Sequence, residues 1–89
     1  MNNVRRKKID EAISLAEKLQ DSIQELRERI EEIRDEEQEY LDNMPENLQS
    51  SERYIAAEEA VENLEGAMDT LDELDIDDIT SMLEEAKGY

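Results

Sequence analysis

The stretch IDEAISLAEKLQDSIQELRERIEEIRDEEQEYLDNM, residues 9–44, decides the fold. Its apolar positions recur at alternating steps of three and four: Ile9, Ala12, Ala16, Leu19, Ile23, Leu26, Ile30, Ile33, Glu37, Tyr40 and Met44. Only Glu37 in that series is not apolar. A seam held for about five heptads predicts one long amphipathic helix. Ile13, Leu15 and Leu41 lie beside it and widen the stripe, which implies more than one neighbouring helix.

The helix is expected to cover 4–43 and to end in a turn over 44–51. Pro45 cannot continue it and pushes Met44 out of the α region. A second seam follows at Tyr54, Ala57, Val61, Leu64, Met68 and Leu71, predicting a helix over 52–74 with Ser50 or Ser51 as its N-cap. The next positions in register are Asp75 and Asp78, which do not belong in a core. The apolar set restarts one residue out of step as Ile76, Ile79, Leu83 and Ala86. That slip predicts a kink or a short third helix over 76–87. Asp75 fits its N-cap with Asp78 at N3, Leu74 and Ile79 fit a hydrophobic staple, and Lys87-Gly88 fit its end.

At about 1.5 Å per residue the second and third helices placed end to end nearly match the first. The expected fold is therefore a single all-α domain: an antiparallel helical hairpin, a coiled coil with a bent second arm. A lone hairpin of this composition is marginal, so dimerisation into a four-helix bundle is expected, covering the Ile13/Leu15 side.

Composition narrows the function. The 89 residues carry 27 acidic and 10 basic groups, a net charge of -17, with no His, Cys, Trp or Phe. Leu, Ile, Val and Phe supply so few residues that composition alone leans towards disorder; the sustained periodicity overrides it. Direct binding of nucleic acid or of an anionic membrane is disfavoured, since both require Lys and Arg to neutralise phosphate. The missing His and Cys remove the commonest general base, the thiol nucleophile and the usual zinc ligands. A calcium loop counted from Asp75 puts Thr80 at position six and Ala86 at position twelve, where Gly and Glu are needed. No cofactor, no metal site and no enzymatic activity is expected. No apolar run reaches the 18 residues of a membrane span, and no uninterrupted apolar segment follows Arg5-Arg6-Lys7-Lys8 to make a signal peptide.

The charge is unevenly placed. Residues 1–34 hold eight basic and eight acidic groups, while residues 35–89 hold nineteen acids against Arg53 and Lys87. On the second helix Glu58, Glu62, Glu65, Asp69 and Asp72 are spaced by four and three, one continuous acidic stripe. Like charges at i,i+4 destabilise a helix by roughly 0.2–0.5 kcal/mol per pair, so such a stripe calls for a reason. Part of it is intrachain pairing. A turn about residues 47–48 predicts Arg34 near Glu58 or Glu62, and Arg27 near Glu65 or Asp72. The remainder either keeps the chain soluble or recognises a basic partner, and the stripe is the candidate binding site. Tyr40 and Tyr54 are expected to pack at the hairpin end, Met44 and Met68 to fill gaps, and the Arg5–Lys8 cluster to form a frayed tail.

The segment EEQEYLDNMPENLQ at 36–49, followed by Ser51-Glu52-Arg53-Tyr54 and AEEAVENL at 57–64, resembles small acidic coiled-coil proteins encoded by phages and prophages of Gram-positive bacteria. The resemblance implies a virus-encoded protein of the bacterial host cytoplasm, where small acidic proteins inhibit nucleic-acid enzymes. The expected function is a non-enzymatic interaction protein that occupies a basic, nucleic-acid-binding surface of a host or phage protein. It would act as a nucleic-acid mimic or an inhibitor of host defence. The alternative is a structural or scaffolding coiled coil whose acidity serves only solubility.

Overall fold

The computed structural model describes residues 1–88; Tyr89, a chain-end residue to which the sequence assigns no role, lies outside the described residues. The chain is all-α. Helix α1 runs Asn3–Asp42, α2 Glu52–Asp72 and α3 Ile76–Lys87, with a single 3-10 turn at Glu46–Leu48 and no strand among the described residues. Among the described residues, no helix is long and apolar enough to cross a membrane.

Local chemistry sets these boundaries. Asn2 starts α1: its Oδ1 accepts a hydrogen bond from the Arg5 backbone N–H at 2.9 Å, satisfying one of the helix's orphan donors. The basic cluster Arg5–Lys8 is therefore helical, not a frayed tail. Pro45, with φ -59° and ψ 146°, holds extended backbone after α1. Tight turns then carry the chain on, with Leu48 N–H donating to Pro45 O and Ser51 N–H to Leu48 O. The Ser51 hydroxyl accepts from Tyr54 N–H at 3.3 Å to open α2, and the Asp75 carboxylate accepts from Asp78 N–H at 2.9 Å to open α3. Gly88 ends α3 with φ -70°, an ordinary right-handed value that makes no use of glycine's freedom. Leu74 and Ile79 both stay about half exposed, so the expected staple does not bury them.

Contacts divide the chain into two units through which α1 runs: residues 1–25 with those from Leu74 onward, and Leu26–Glu73. In the first unit Ile13 and Ile76 are buried, and Ile9, Ala12, Ala16, Leu83 and Ala86 half-buried. Lys87 bonds Asp10 at 2.8 Å and Glu84 at 3.1 Å, and Arg6 Nε donates to the Lys87 carbonyl at 3.2 Å. That carbonyl belongs to the last turn of α3, where a cation is favoured by the helix dipole.

In the second unit the core is Leu41, Ala57 and Val61, with Tyr54 packed against them and Met68 also buried. Here the predicted seam is corrected. Leu26, Ile33 and Tyr40, the part of one seam column that lies in this unit, remain between 47% and 52% exposed, as does Leu19 of the first unit. The column one residue further on, Arg27, Arg34 and Leu41, is half-buried or buried instead. Relative to the expected seam, α1 is turned so that Ile23, Ile30 and Glu37 share the packed face with this second column, about 100° round from the first. Tyr40 is correspondingly not a core residue, whereas Tyr54 is. On α2 the seam lies where the spacing predicts, with Ala57, Val61 and Met68 buried and Tyr54, Leu64 and Leu71 half-buried.

Burial should therefore rank the leucines. Leu41→Ala is expected to lower stability in urea denaturation by about 2–5 kcal/mol, as for a buried leucine. Leu15→Ala, at a position 66% exposed, is expected to change it by no more than about 0.5 kcal/mol. Equal losses for the two would contradict this packing.

Candidate functional site: an acidic flank bridged by two arginines

All five residues of the predicted stripe lie on α2 and all are exposed. Their surroundings differ along the helix. Glu58 and Glu62 border a shallow hollow with Gln38, Leu41 and Asp42 of α1. Glu65 and Asp69 line a groove of about 390 Å³ with Arg27, Glu31, Arg34 and Met68. Asp72 is held by Arg27 in a two-point contact: Nε donates to Oδ1 at 2.6 Å and Nη2 to Oδ2 at 3.1 Å. The stripe thus runs along the edge of the helix–helix contact, not on the outward face of α2.

Each arginine bridges both helices. Arg27 also bonds Glu31 on its own helix at 3.1 Å. Arg34 bonds Asp35 on its own helix at 2.8 Å and reaches Glu65 on α2 at 3.5 Å. One acid from each helix is therefore drawn to the same side. Arg27 meets Asp72 as expected, but Arg34 meets Glu65 rather than Glu58 or Glu62. Both interhelical pairs are centred between Gln49 and Ser50. That midpoint lies about two residues beyond the expected 47–48, although the connection between Asp42 and Glu52, with its helical turn at Glu46–Leu48, falls where the sequence places it.

The pairing shifts the protonation equilibria. Hydrogen bonding from Arg27 holds the Asp72 carboxyl below the usual aspartate range, opposed in part by desolvation. The same bond raises Arg27, while Arg34 is raised first by its hydrogen bond to Asp35 and then by Glu65. Lys87 is raised by Asp10 and Glu84.

Helix α1 carries a second acidic row that the sequence reading missed. Glu28, Glu32, Asp35 and Glu39, spaced by four, three and four, line one shallow groove with Glu31 and Glu36. The signal was the spacing already used for α2. Of the five predicted residues, Glu58, Glu62 and Asp69 pair with no cation among the described residues, and Glu65 and Asp72 do. Three or more acids are nowhere grouped, among the described residues, so as to hold a metal ion. A mostly apolar hollow at the turn, lined by Tyr40, Met44, Pro45, Leu48 and Arg53 among others, brings no acid or base pair together for chemistry. The arrangement offers charge display. Comparison with protein-family models, with curated proteins and with solved structures returns no match.

The linkage has a definite sign. Asp72's folded pKa is depressed, so its stabilisation is present above the unfolded value and lost as pH falls through the folded one. Lys87 is the reverse: its contribution is whole below the ordinary lysine range and lost as pH rises through its raised value. Carboxyl NMR titration should show Asp72 titrating below the ordinary aspartate range, with helix content steady or rising from pH about 7 to about 5 as self-repulsion eases. An Asp72 that titrates in the ordinary aspartate range would contradict the two-point contact.

Proposed function

We propose that this chain is a non-enzymatic acidic interaction protein whose flank of carboxylates occupies a basic, nucleic-acid-binding surface on another protein. The observation that carries the reading is the pair of acidic rows, Glu28, Glu32, Asp35 and Glu39 on α1 and Glu58 to Asp72 on α2, with Arg27 joining Glu31 to Asp72 and Arg34 joining Asp35 to Glu65 between them. Duplex DNA also presents two rows of negative charge, one phosphate per roughly 3.4 Å on each strand. Five acids over the α2 stripe span about 21 Å at helical rise. The density is lower than that of DNA, but helices hold the charges in fixed rows, which a disordered acidic tail does not. A channel built for phosphate accepts such rows by charge complementarity, with fast association that weakens as salt rises.

The finer architecture belongs to the same proposal. The chain is an antiparallel helical hairpin with a bent second arm, working as a homodimer in a four-helix bundle. Supporting this, contacts in the Leu26–Glu73 unit run in opposite order along α1 and α2: Arg27 with Asp72, Arg34 with Glu65, Leu41 with Ala57 and Val61. The resemblance at 36–64 supports a phage-encoded protein of the bacterial cytoplasm that inhibits a host nucleic-acid enzyme. A scaffolding coiled coil, acidic only for solubility, is the second reading, and the exposed Leu26, Ile33 and Tyr40 favour it.

The test must spare the intrachain pairs. Neutralising all five stripe residues also strips Arg27 and Arg34 of partners, so the informative variant is Glu58→Gln, Glu62→Gln, Asp69→Asn. The wild-type chain is expected to displace a short fluorescent DNA duplex from at least one of a panel of purified bacterial DNA-binding enzymes at low salt. The triple variant should fold equally and displace at least about tenfold less, since rim charges govern encounter and its salt dependence. No displacement by wild type, or equal displacement by the folded variant, would contradict the reading.

A further inference from the structure

The Leu26–Glu73 unit has two unlike sides. Arg27, Arg34 and the acidic rows occupy one. On α1, stepping back one residue from Arg27, Arg34 and Leu41 leads about 100° round the helix to Leu26, Ile33 and Tyr40, each about half exposed. On α2, stepping back one residue from Tyr54, Val61 and Met68 leads to Arg53, Ala60 and Ala67. The glutamates of the stripe lie the other way, one residue after Ala57 and Leu64. Because the contacts run in opposite order along the two helices, the same sense of rotation brings both sets to one side.

That side of α2 is unusual for this chain. Positions 53, 56, 60, 63, 67 and 70 are Arg, Ala, Ala, Asn, Ala and Thr, without an acid, on a helix otherwise dense in Glu and Asp. On α1 the nearest acid is the half-buried Glu37, and the outer edge carries Arg29 and Glu36, of opposite sign. Two copies of a chain with net charge -17 repel, and this is the side on which they approach with least like charge. The chain also lacks a core of its own to match its length: the buried apolar residues are Ile13, Leu41, Ala57, Val61, Met68 and Ile76, and none is fully buried. Small helical proteins complete such cores by association.

We infer that this side is the homodimer face, and that each copy seats Ile33 and Tyr40 on the alanine shelf of the other. The inference deepens the dimer in the proposed function by naming its surface and register. The arrangement is isologous, with a two-fold axis parallel to the helices. Arg34 stands level with Glu65, and Leu41 with Ala57 and Val61, so Ile33 of one copy meets Ala67 of the other, and Tyr40 meets Ala60. Large side chains on α1 against small ones on α2 give the volume match that close helix packing requires. Both acidic flanks stay outside the bundle, open to a partner.

Sedimentation velocity tests this on the whole chain. Wild type is expected at twice the 10.4 kDa of one chain. Ile33→Glu and Ala67→Glu, both at exposed positions, should each sediment as one chain with helix content unchanged. Because the natural sequence has no cysteine, an oxidised mixture of Ile33→Cys and Ala67→Cys chains should yield mostly mixed covalent dimers. The cross-link also decides the matter if a glutamate variant fails to fold. A monomeric wild type, a dimer that survives both glutamate variants, or a mixture giving no mixed dimer would overturn the inference. None of these outcomes bears on DNA displacement, so the binding reading stands or falls separately.

Discussion

The contact of Arg27 and Arg34 with acids of both α1 and α2 orders the second unit. In a chain with 27 acids and 10 bases, few cations are available to bring two acidic helices together. These two sit one heptad apart on the same column of α1 and reach Asp72 and Glu65, also one heptad apart on α2. Axial register follows from that match. So does the rotation of α1, because the column carrying the arginines must border α2, and the column one residue earlier is then carried outward.

The energetic consequence is that Leu26, Ile33 and Tyr40 forgo much of their burial within the chain. Full burial of such a side chain is worth roughly 1.5–3 kcal/mol, so leaving each about half exposed forgoes about 1 kcal/mol apiece. Ion pairs at exposed positions contribute little to stability. They set register and orientation here without offsetting that loss. One rotation therefore sets both sides: Glu31, Asp35, Glu65 and Asp72 are gathered by the arginines on one, and an apolar column is released on the other.

Much of the fold was legible from local chemistry. Ser51 and Asp75 cap helices as their types and places predict, the out-of-step restart at Ile76 marks a real helix break, and the α2 seam lies where its spacing puts it. The rotation of α1 was not legible. Its two flanking columns compete: Leu19, Leu26, Ile33 and Tyr40 are the more apolar, while Ile13, Gln20, Arg27, Arg34 and Leu41 include polar groups that periodicity discounts. A hydrophobic pattern shows what will be buried somewhere, not which neighbour buries it. The acidic site divides in the same way. The α2 stripe was readable, but tallying charge on either side of residue 34 cut through Glu28, Glu32, Asp35 and Glu39 and hid a second row with the same spacing.

The central claim is that α2 is registered on α1 through the arginine column. A double-mutant cycle on Arg27 and Asp72, using Arg27→Gln and Asp72→Asn and chemical denaturation, tests it most directly. The account predicts that removing the Asp72 carboxylate destabilises the chain when Arg27 is present and much less when it is absent, whereas the cycle of Arg27 with Glu58 is additive. Additivity for Arg27 and Asp72, or coupling of Arg27 to Glu58 instead, would contradict it.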